Sequence, residues 1–298
     1  MSYHFSIRKN KEVTYVDVLD RLPDKRVDIA YGKQLELHEP MSGFCKFYIP
    51  EISSRGITVG LEEEEFDIGI NVLSSKEDYV LALQLARVVA EITESDIEPE
   101  DSEGPISIAE FDAQFGEEWA ESYKTQGSSS IRYLIQQDNT VISIGGCLRP
   151  CYIGPKLLAK LSNGVEGEEQ FYHRTIEVIR SIQFAHFQIK GLIVPNEFVV
   201  TEKSGEEWQY IVLGPSTVQL VIKTDYILLF LGQDNYVKVP FDKFSEYATG
   251  RYEYLDEHQF VFPAMPMEEF VALMKAFGAP PSLGGPAPRE KKWWEFWR

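Results

Sequence analysis

Cysteine, histidine and basic residues are all scarce in this sequence, and each scarcity excludes something. Three cysteines cannot build a disulfide framework, which fits a reducing compartment. The five histidines (His4, His38, His173, His186 and His258) include no pair at the i, i+4 spacing of a metal-binding helix. Lysine and arginine number 29 against 47 aspartates and glutamates, a formal net charge of −18. That balance argues against a general nucleic-acid binder, whose phosphate contacts need Lys and Arg. No apolar run reaches the ~18–20 residues that span a bilayer. The opening MSYHFSIRKNKEV lacks the apolar stretch of a secretory signal. Phosphate-binding glycine loops and a Gly-x-Ser-x-Gly elbow are missing too. No cofactor, no metal and no nucleic-acid partner is therefore expected. At 44% hydrophobic residues the chain is nonetheless too apolar to be disordered.

What is present is unevenly placed charge. Between Gly56 and Tyr123 stand 19 acidic residues and two basic ones, Lys76 and Arg87, a net of −17. The remaining chain is close to neutral. Glu62, Glu63, Glu64 and Glu65 form one run, and Glu91 to Glu121 carries 12 acids with no base. The bland reading is a solvated surface that keeps the chain in solution. The sharper one is a focused negative field that steers a basic partner. Asp96–Asp101 imitates a calcium loop, but Pro99 intrudes and the sixth-position glycine is missing, so an EF-hand is rejected.

Periodicity supplies the organisation. Tyr3–Ile7 alternates like a half-buried strand, and Thr14 is placed to cap a helix that Pro23 stops. Cys45–Ile49, Ile57–Val59 and Phe66–Val72 read as strands. Ser74-Ser75-Lys76-Glu77 reads as a capping box, with Leu81, Leu85, Val88, Val89 and Ile92 forming the apolar stripe of the helix it opens. Asp96–Pro105 reads as a connector. Phe111, Phe115, Trp119 and Tyr123 then put aromatics on one side of a helical pair and carboxylates on the other. Gly127–Ser130 reads as a flexible break. Beyond it come a strand at Thr140–Ile144, helices at Pro155–Leu161 and Glu168–Ile182, and five strands between Phe198 and Val239. Turns at Lys203–Gly205 and Gln233–Asn235 suggest an antiparallel meander, closed by a helix at Met267–Phe277.

The expected fold class is α+β: two α+β units, the second with a mainly antiparallel sheet, and a flexible C-terminal tail. The expected segments are 1–94, an acidic connector with aromatic helix at 95–130, 131–278, and 279–298.

Cys147-Leu148-Arg149-Pro150-Cys151 has three residues between its thiols, where a thioredoxin-type motif has two. A turn at Gly145-Gly146 would expose the pair, and Arg149 would depress a thiol pKa. Structural cysteines are the favoured reading. A cysteine–histidine nucleophile pair brought together by the fold is the enzymatic alternative.

The tail is the least ordinary segment. A Pro/Gly linker from Ala279 to Pro288 leads into Arg289-Glu290-Lys291-Lys292-Trp293-Trp294-Glu295-Phe296-Trp297-Arg298, which holds three of the five tryptophans. If helical, Trp293, Phe296 and Trp297 share a face with Trp294 beside them. Exposed aromatic clusters mark contacts. Three docking modes stay open: on the chain's own acidic surface, on another protein or a second copy, and on a membrane interface as a peripheral scaffold.

The ending Lys291-Lys292-Trp293-Trp294-Glu295-Phe296-Trp297-Arg298 resembles the Lys-Lys-Trp-Trp-x-Phe-Trp endings of assorted bacterial proteins. Tyr48-Ile49-Pro50, Ser54-Arg55-Gly56-Ile57 and Ser75-Lys76-Glu77-Asp78-Tyr79 are similar to a bacterial family of unknown function with chains near this length. That resemblance implies a bacterial cytoplasmic protein, with toxin-neutralising immunity as its concrete version, and it supplies no catalytic residues. The leading expectation is a protein-binding module that meets a basic partner through Glu62, Glu63, Glu64 and Glu65 and through Glu117, Glu118 and Glu121. Trp293, Trp294, Phe296 and Trp297 would make an accessory contact.

Overall fold

Alternation decides the first strand. In β1 (Ser2–Arg8) Tyr3, Phe5 and Ile7 are buried while Ser2, His4 and Ser6 are half-exposed, because successive side chains leave opposite faces. The computed structural model describes residues 2–30, 36–124, 128–201, 205–232 and 235–278. Those residues fall into two compact units, with the division after Phe184.

In the first unit β1 is followed by α1 (Tyr15–Arg21), β2 (Asp28–Ala30), β3 (Gly43–Tyr48), β4 (Ile57–Glu62), β5 (Glu65–Asn71), α2 (Lys76–Thr93) and β6 (Ile97–Pro99). Then come α3 (Ile108–Gln114), α4 (Glu117–Tyr123), α5 (Ser128–Asp138), β7 (Ile142–Gly145), β8 (Pro150–Ile153), α6 (Pro155–Ser162) and α7 (Glu168–Gln183). The first six strands form one antiparallel sheet in the order β2-β3-β4-β5-β1-β6. Its inner face presents Phe5, Phe66, Ile68 and Ile70, all essentially buried, to the Leu81, Leu85 and Val89 stripe of α2. Fully burying each such side chain stabilises by ~1.5–3 kcal/mol. The aromatics of α3 and α4 join the same core: Phe111 meets Phe5 edge-on with centroids 5.3 Å apart, and Trp119 meets Tyr3 at 5.1 Å. This cluster draws on residues from either side of position 94, from Tyr3 to Ala120.

The second unit holds α8 (Ala185–Gln188), β9 (Leu192–Ile193), β10 (Phe198–Thr201), β11 (Glu207–Leu213), β12 (Val218–Val221), β13 (Tyr226–Gly232), β14 (Asn235–Pro240), α9 (Phe241–Ala248), β15 (Glu253–Tyr254), β16 (Phe260–Phe262) and α10 (Met267–Ala276). Two four-stranded sheets, β10-β11-β13-β14 and β15-β16-β12-β9, share a core with Phe244, Phe260, Phe270 and Met274. The chain is thus α+β with mainly antiparallel sheets.

Four local expectations are corrected. The capping box of α2 is built by Ser75 and Asp78, one residue later than the Ser74–Glu77 reading, since the Asp78 carboxylate is also claimed by a neighbouring loop. Part of the supposed connector is β6, whose Ile97 and Pro99 point inward while Glu98 points out; as an edge strand it tolerates proline. Ser128–Ser130 open α5 and are not a break. The strands after Phe198 are not a simple meander, because β12 leaves for the other sheet and β11 and β13 pair in parallel. The turn residues 203–204 and 233–234 and the whole tail, with Trp293, Trp294, Phe296 and Trp297, lie outside the described residues. No described helix is long and apolar enough to cross a membrane.

Candidate functional site

The run Glu62–Glu65 closes the β4–β5 hairpin. Glu62 and Glu65 sit directly opposite one another in the ladder, leaving Glu63 and Glu64 as a two-residue turn. Such turns favour Asn-Gly or Asp-Gly because they need left-handed backbone. Here Glu63 takes that conformation, with φ of 53°. A side chain there costs ~1–2 kcal/mol relative to glycine, and like charges directly across a ladder destabilise it further. The local sequence works against its own turn.

Glu62, Glu63, Glu64 and Glu65 line an open depression of about 1160 Å³, together with Asp67 of β5 and with Glu94, Asp96 and Glu98 from the α2–β6 region. Arg8, Phe44, Ser6 and Ser95 complete part of the wall. The α2 terminus is held there by Ser95, whose hydroxyl donates to the Arg8 carbonyl at 2.7 Å and accepts from the Asn10 amide at 2.8 Å. Glu94 is paired with Lys11. Among the described residues no ion pair reaches Glu62, Glu63, Glu64, Glu65, Asp96 or Glu98.

Glu117, Glu118 and Glu121 lie elsewhere. They ride on α4, whose aromatics pack on the inner side of β1, whereas Ser6 and Asp67 at the depression belong to the outer side. Lys76 stands 3.8 Å from Glu117 and 3.5 Å from Glu121. Glu121 also bonds Lys124, which holds its carboxyl below the ordinary range. The structure brings the first acidic run together with the start of the second, not with α4. The sequence reading held Glu94, Asp96 and Glu98 only as part of the longer Glu91–Glu121 run and did not single out Asp67. For Asp67 the signal was present, since Glu65 and Asp67 share the outward face of a period-2 strand.

All three cysteines are buried thiols. Burial pushes the thiols of Cys45 and Cys147 up to about 12, opposite to the direction that activates a nucleophile. Arg149 donates to the Ile182 carbonyl, and the Leu148 and Arg149 amides both donate to the Gln183 side chain at 2.9 Å. Gly146 lies so close to that carboxamide that a Cβ would overlap it.

Of the residues quoted for the family resemblance, Ser54, Arg55, Ser75 and Asp78 meet in one hydrogen-bonded knot. The Asp78 carboxylate, fully buried, accepts from the amides of Ser54, Arg55 and Ser75 at 3.0–3.2 Å and from the Ser54 hydroxyl at 3.1 Å. Arg55 then donates to Val72 and Gly145, and burial brings its pKa down to about 10. The Tyr172 hydroxyl donates to the Ser74 carbonyl at 2.7 Å, tying α7 to the same knot. One further cluster stands out on the exposed face of the sheet: the His4 ring bridges Asp67 and Ser2, at 2.8 and 2.7 Å.

Residues 2–185 match the family described as a domain of unknown function (DUF4299). The chain belongs to the DUF4299 family. Its matched region ends one residue past the first unit, so the sheet, the depression and the Asp78 knot all lie inside the DUF4299 domain. This is a family of unknown function, as the resemblance implied, and the Trp-rich tail lies beyond the match. No curated protein and no solved structure matches the chain.

Proposed function

We propose that this DUF4299 protein is a binding module that receives a basic protein partner on the acidic depression of its first sheet. The observation that carries this reading is the Glu62–Glu65 hairpin. Four carboxylates are kept at a turn where they oppose local stability, beside further acids, with Arg8 opposite Glu65 but in no described ion pair with it. Violations of local rules without local compensation concentrate at functional sites. Clustered charge of one sign over a concave wall focuses the field and raises the association rate of an opposite partner by ~10–10³.

The concrete form is a bacterial cytoplasmic immunity protein that neutralises a basic toxin such as a nuclease. Glu117, Glu118 and Glu121 would be an outlying contact, weakened by Lys76 and Lys124, and the Trp-rich tail an accessory one. Affinity capture from the host with the full chain tests the reading. Reversing Glu62, Glu63, Glu64 and Glu65 to Lys should abolish retention of basic proteins, and reversal of Glu117 and Glu118 should weaken it less. Retention that survives reversal of the hairpin rules out the depression as the binding surface.

A further inference from the structure

The exposed face of β1 carries a hydrogen-bond chain that the binding reading does not use. Ser2, His4 and Ser6 point outward from β1, opposite Asn71, Gly69 and Asp67 of β5. His4 Nδ1 lies 2.8 Å from Asp67 Oδ1, and His4 Nε2 lies 2.7 Å from Ser2 Oγ. A carboxylate can only accept, so Asp67 fixes the proton on Nδ1. Nε2 is then left as the acceptor for the Ser2 hydroxyl, the tautomer a general base needs. Gly69 makes this possible. The imidazole lies across it, and a Cβ on Gly69 would stand 3.0 Å from the ring, tighter than ordinary contact. Both His4 and Asp67 keep 39% of their side-chain surface exposed, so a substrate can reach them. Asn71, directly across from Ser2, emerges on the same face with Cβ atoms ~4.5–5.5 Å apart, within reach as an oxyanion donor.

We infer that Ser2, His4 and Asp67 form an acyl-transfer site, with Ser2 as nucleophile, His4 as general base and acid, and Asp67 as positioning residue. Attack forms the bond from Ser2 Oγ to the carbonyl carbon as the hydroxyl proton passes to His4 Nε2. The bond to the leaving oxygen then breaks, and that oxygen takes the proton from His4. Water deacylates the serine by the reverse relay: its oxygen bonds the carbonyl carbon, its proton goes to His4, and the proton returns to Ser2 as the acyl–Oγ bond breaks. The acids facing His4 are Asp67 from β5 and, along β6 and just past it, Glu98 and Glu100, whose carboxylate accepts from the His4 amide. Asp67 also lines the depression. The substrate class is accordingly an ester bearing a cationic group. This last choice shares the acidic surface with the binding reading, whereas the nucleophile does not depend on it.

The test is labelling of the intact chain by a neutral alkyl fluorophosphonate, in which the Oγ–P bond forms and fluoride leaves, with the site located by peptide mass spectrometry. Ser2 should label at least ~100-fold faster than exposed Ser42, as a positioned base supplies ~10²–10⁴ in rate. His4→Gln should remove that advantage. Asp67→Asn should remove most of it by presenting an amide N–H to Nδ1 and reversing the tautomer, while Asp67→Glu should restore part of it. Hydrogen exchange of β1 confirms that each variant is folded. A trimethylammonium-bearing probe should label Ser2 ~10-fold faster than the neutral one at low salt. Ser2 reacting no faster than Ser42, or unaffected by His4→Gln, overturns the site. Loss of the cationic preference alone overturns the substrate class.

Discussion

Replacing Asp78 by alanine should be among the most damaging single changes in the first unit. The side chain has no access to solvent and gathers three backbone amides, those of Ser54, Arg55 and Ser75, with the Ser54 hydroxyl. The hydroxyl has a second acceptor in the Leu73 carbonyl at 3.1 Å, so its loss is partly offset. The three amides lose the only acceptor described for them. A buried donor left unsatisfied costs ~1–3 kcal/mol, which sets the gross penalty near ~3–9 kcal/mol. Relief from burying a carboxylate, one of whose oxygens has no partner, subtracts several kcal/mol from that. The net expectation is ~3–5 kcal/mol, within the range for breaking a buried charge network. Ser54→Ala removes one shared hydroxyl and should cost ~1 kcal/mol. Native-state hydrogen exchange of α2 peptides reads both variants without involving the second unit's stability. If the two variants lose equal protection, the carboxylate is not the hub and the energetic reasoning is wrong.

Other expectations follow from single contacts. Gly56 has φ of 65° and a Cβ there would stand 2.8 Å from the Phe47 carbonyl, so Gly56→Ala should destabilise by more than ~2 kcal/mol in urea unfolding. Cys45 and Cys147 have folded-state pKa values near 12, raised from 9.0 by burial. The unfolded thiols ionise first, so these groups lower stability as pH rises from 9 toward 12, and thiol reagents should label them only on unfolding. Reagent uptake by native protein at neutral pH would contradict their burial. The Ser107 hydroxyl and amide hold the Glu110 carboxyl below its ordinary 4.5. Its contribution to α3 is present above that value and lost as pH falls through the lower folded one, so Glu110→Gln should weaken α3 at pH 7 and match the parent chain in acid. Thermal scans of both proteins at the two pH values decide it.

Much of the first unit was legible because its strands bury one face only. Phe66, Ile68 and Ile70 alternate visibly, and the stripe from Leu81 to Ile92 repeats at helical spacing. β6 was hidden because three residues ending in proline carry too little pattern, and its pairing with β1 is a distant contact. The swap of β12 between sheets in the second unit is likewise long-range, invisible to a reading of neighbouring residues. For the candidate site, the acidic run was plain in the sequence, but its union with Asp67, Asp96 and Glu98 depends on the sheet order that places β6 beside β1 and β1 beside β5. The Ser2–His4 spacing of two puts both residues on one strand face. Only register adds Asp67, from 63 positions away. The role of Asp78 is not visible in its neighbours, because the loop that claims its carboxylate is 24 residues upstream.

The central claim is that the Glu62–Glu65 hairpin and its depression receive a basic protein. The most direct measurement is capture from the host by the immobilised full chain, beside a chain with Lys at those four positions, each at low and high salt. Exposed charges interact over ~10 Å at 0.1 M salt and ~3 Å at 1 M. The account predicts a basic protein retained by the parent chain at low salt, released at high salt, and absent from the reversed chain. Retention indifferent to both salt and charge reversal would contradict it.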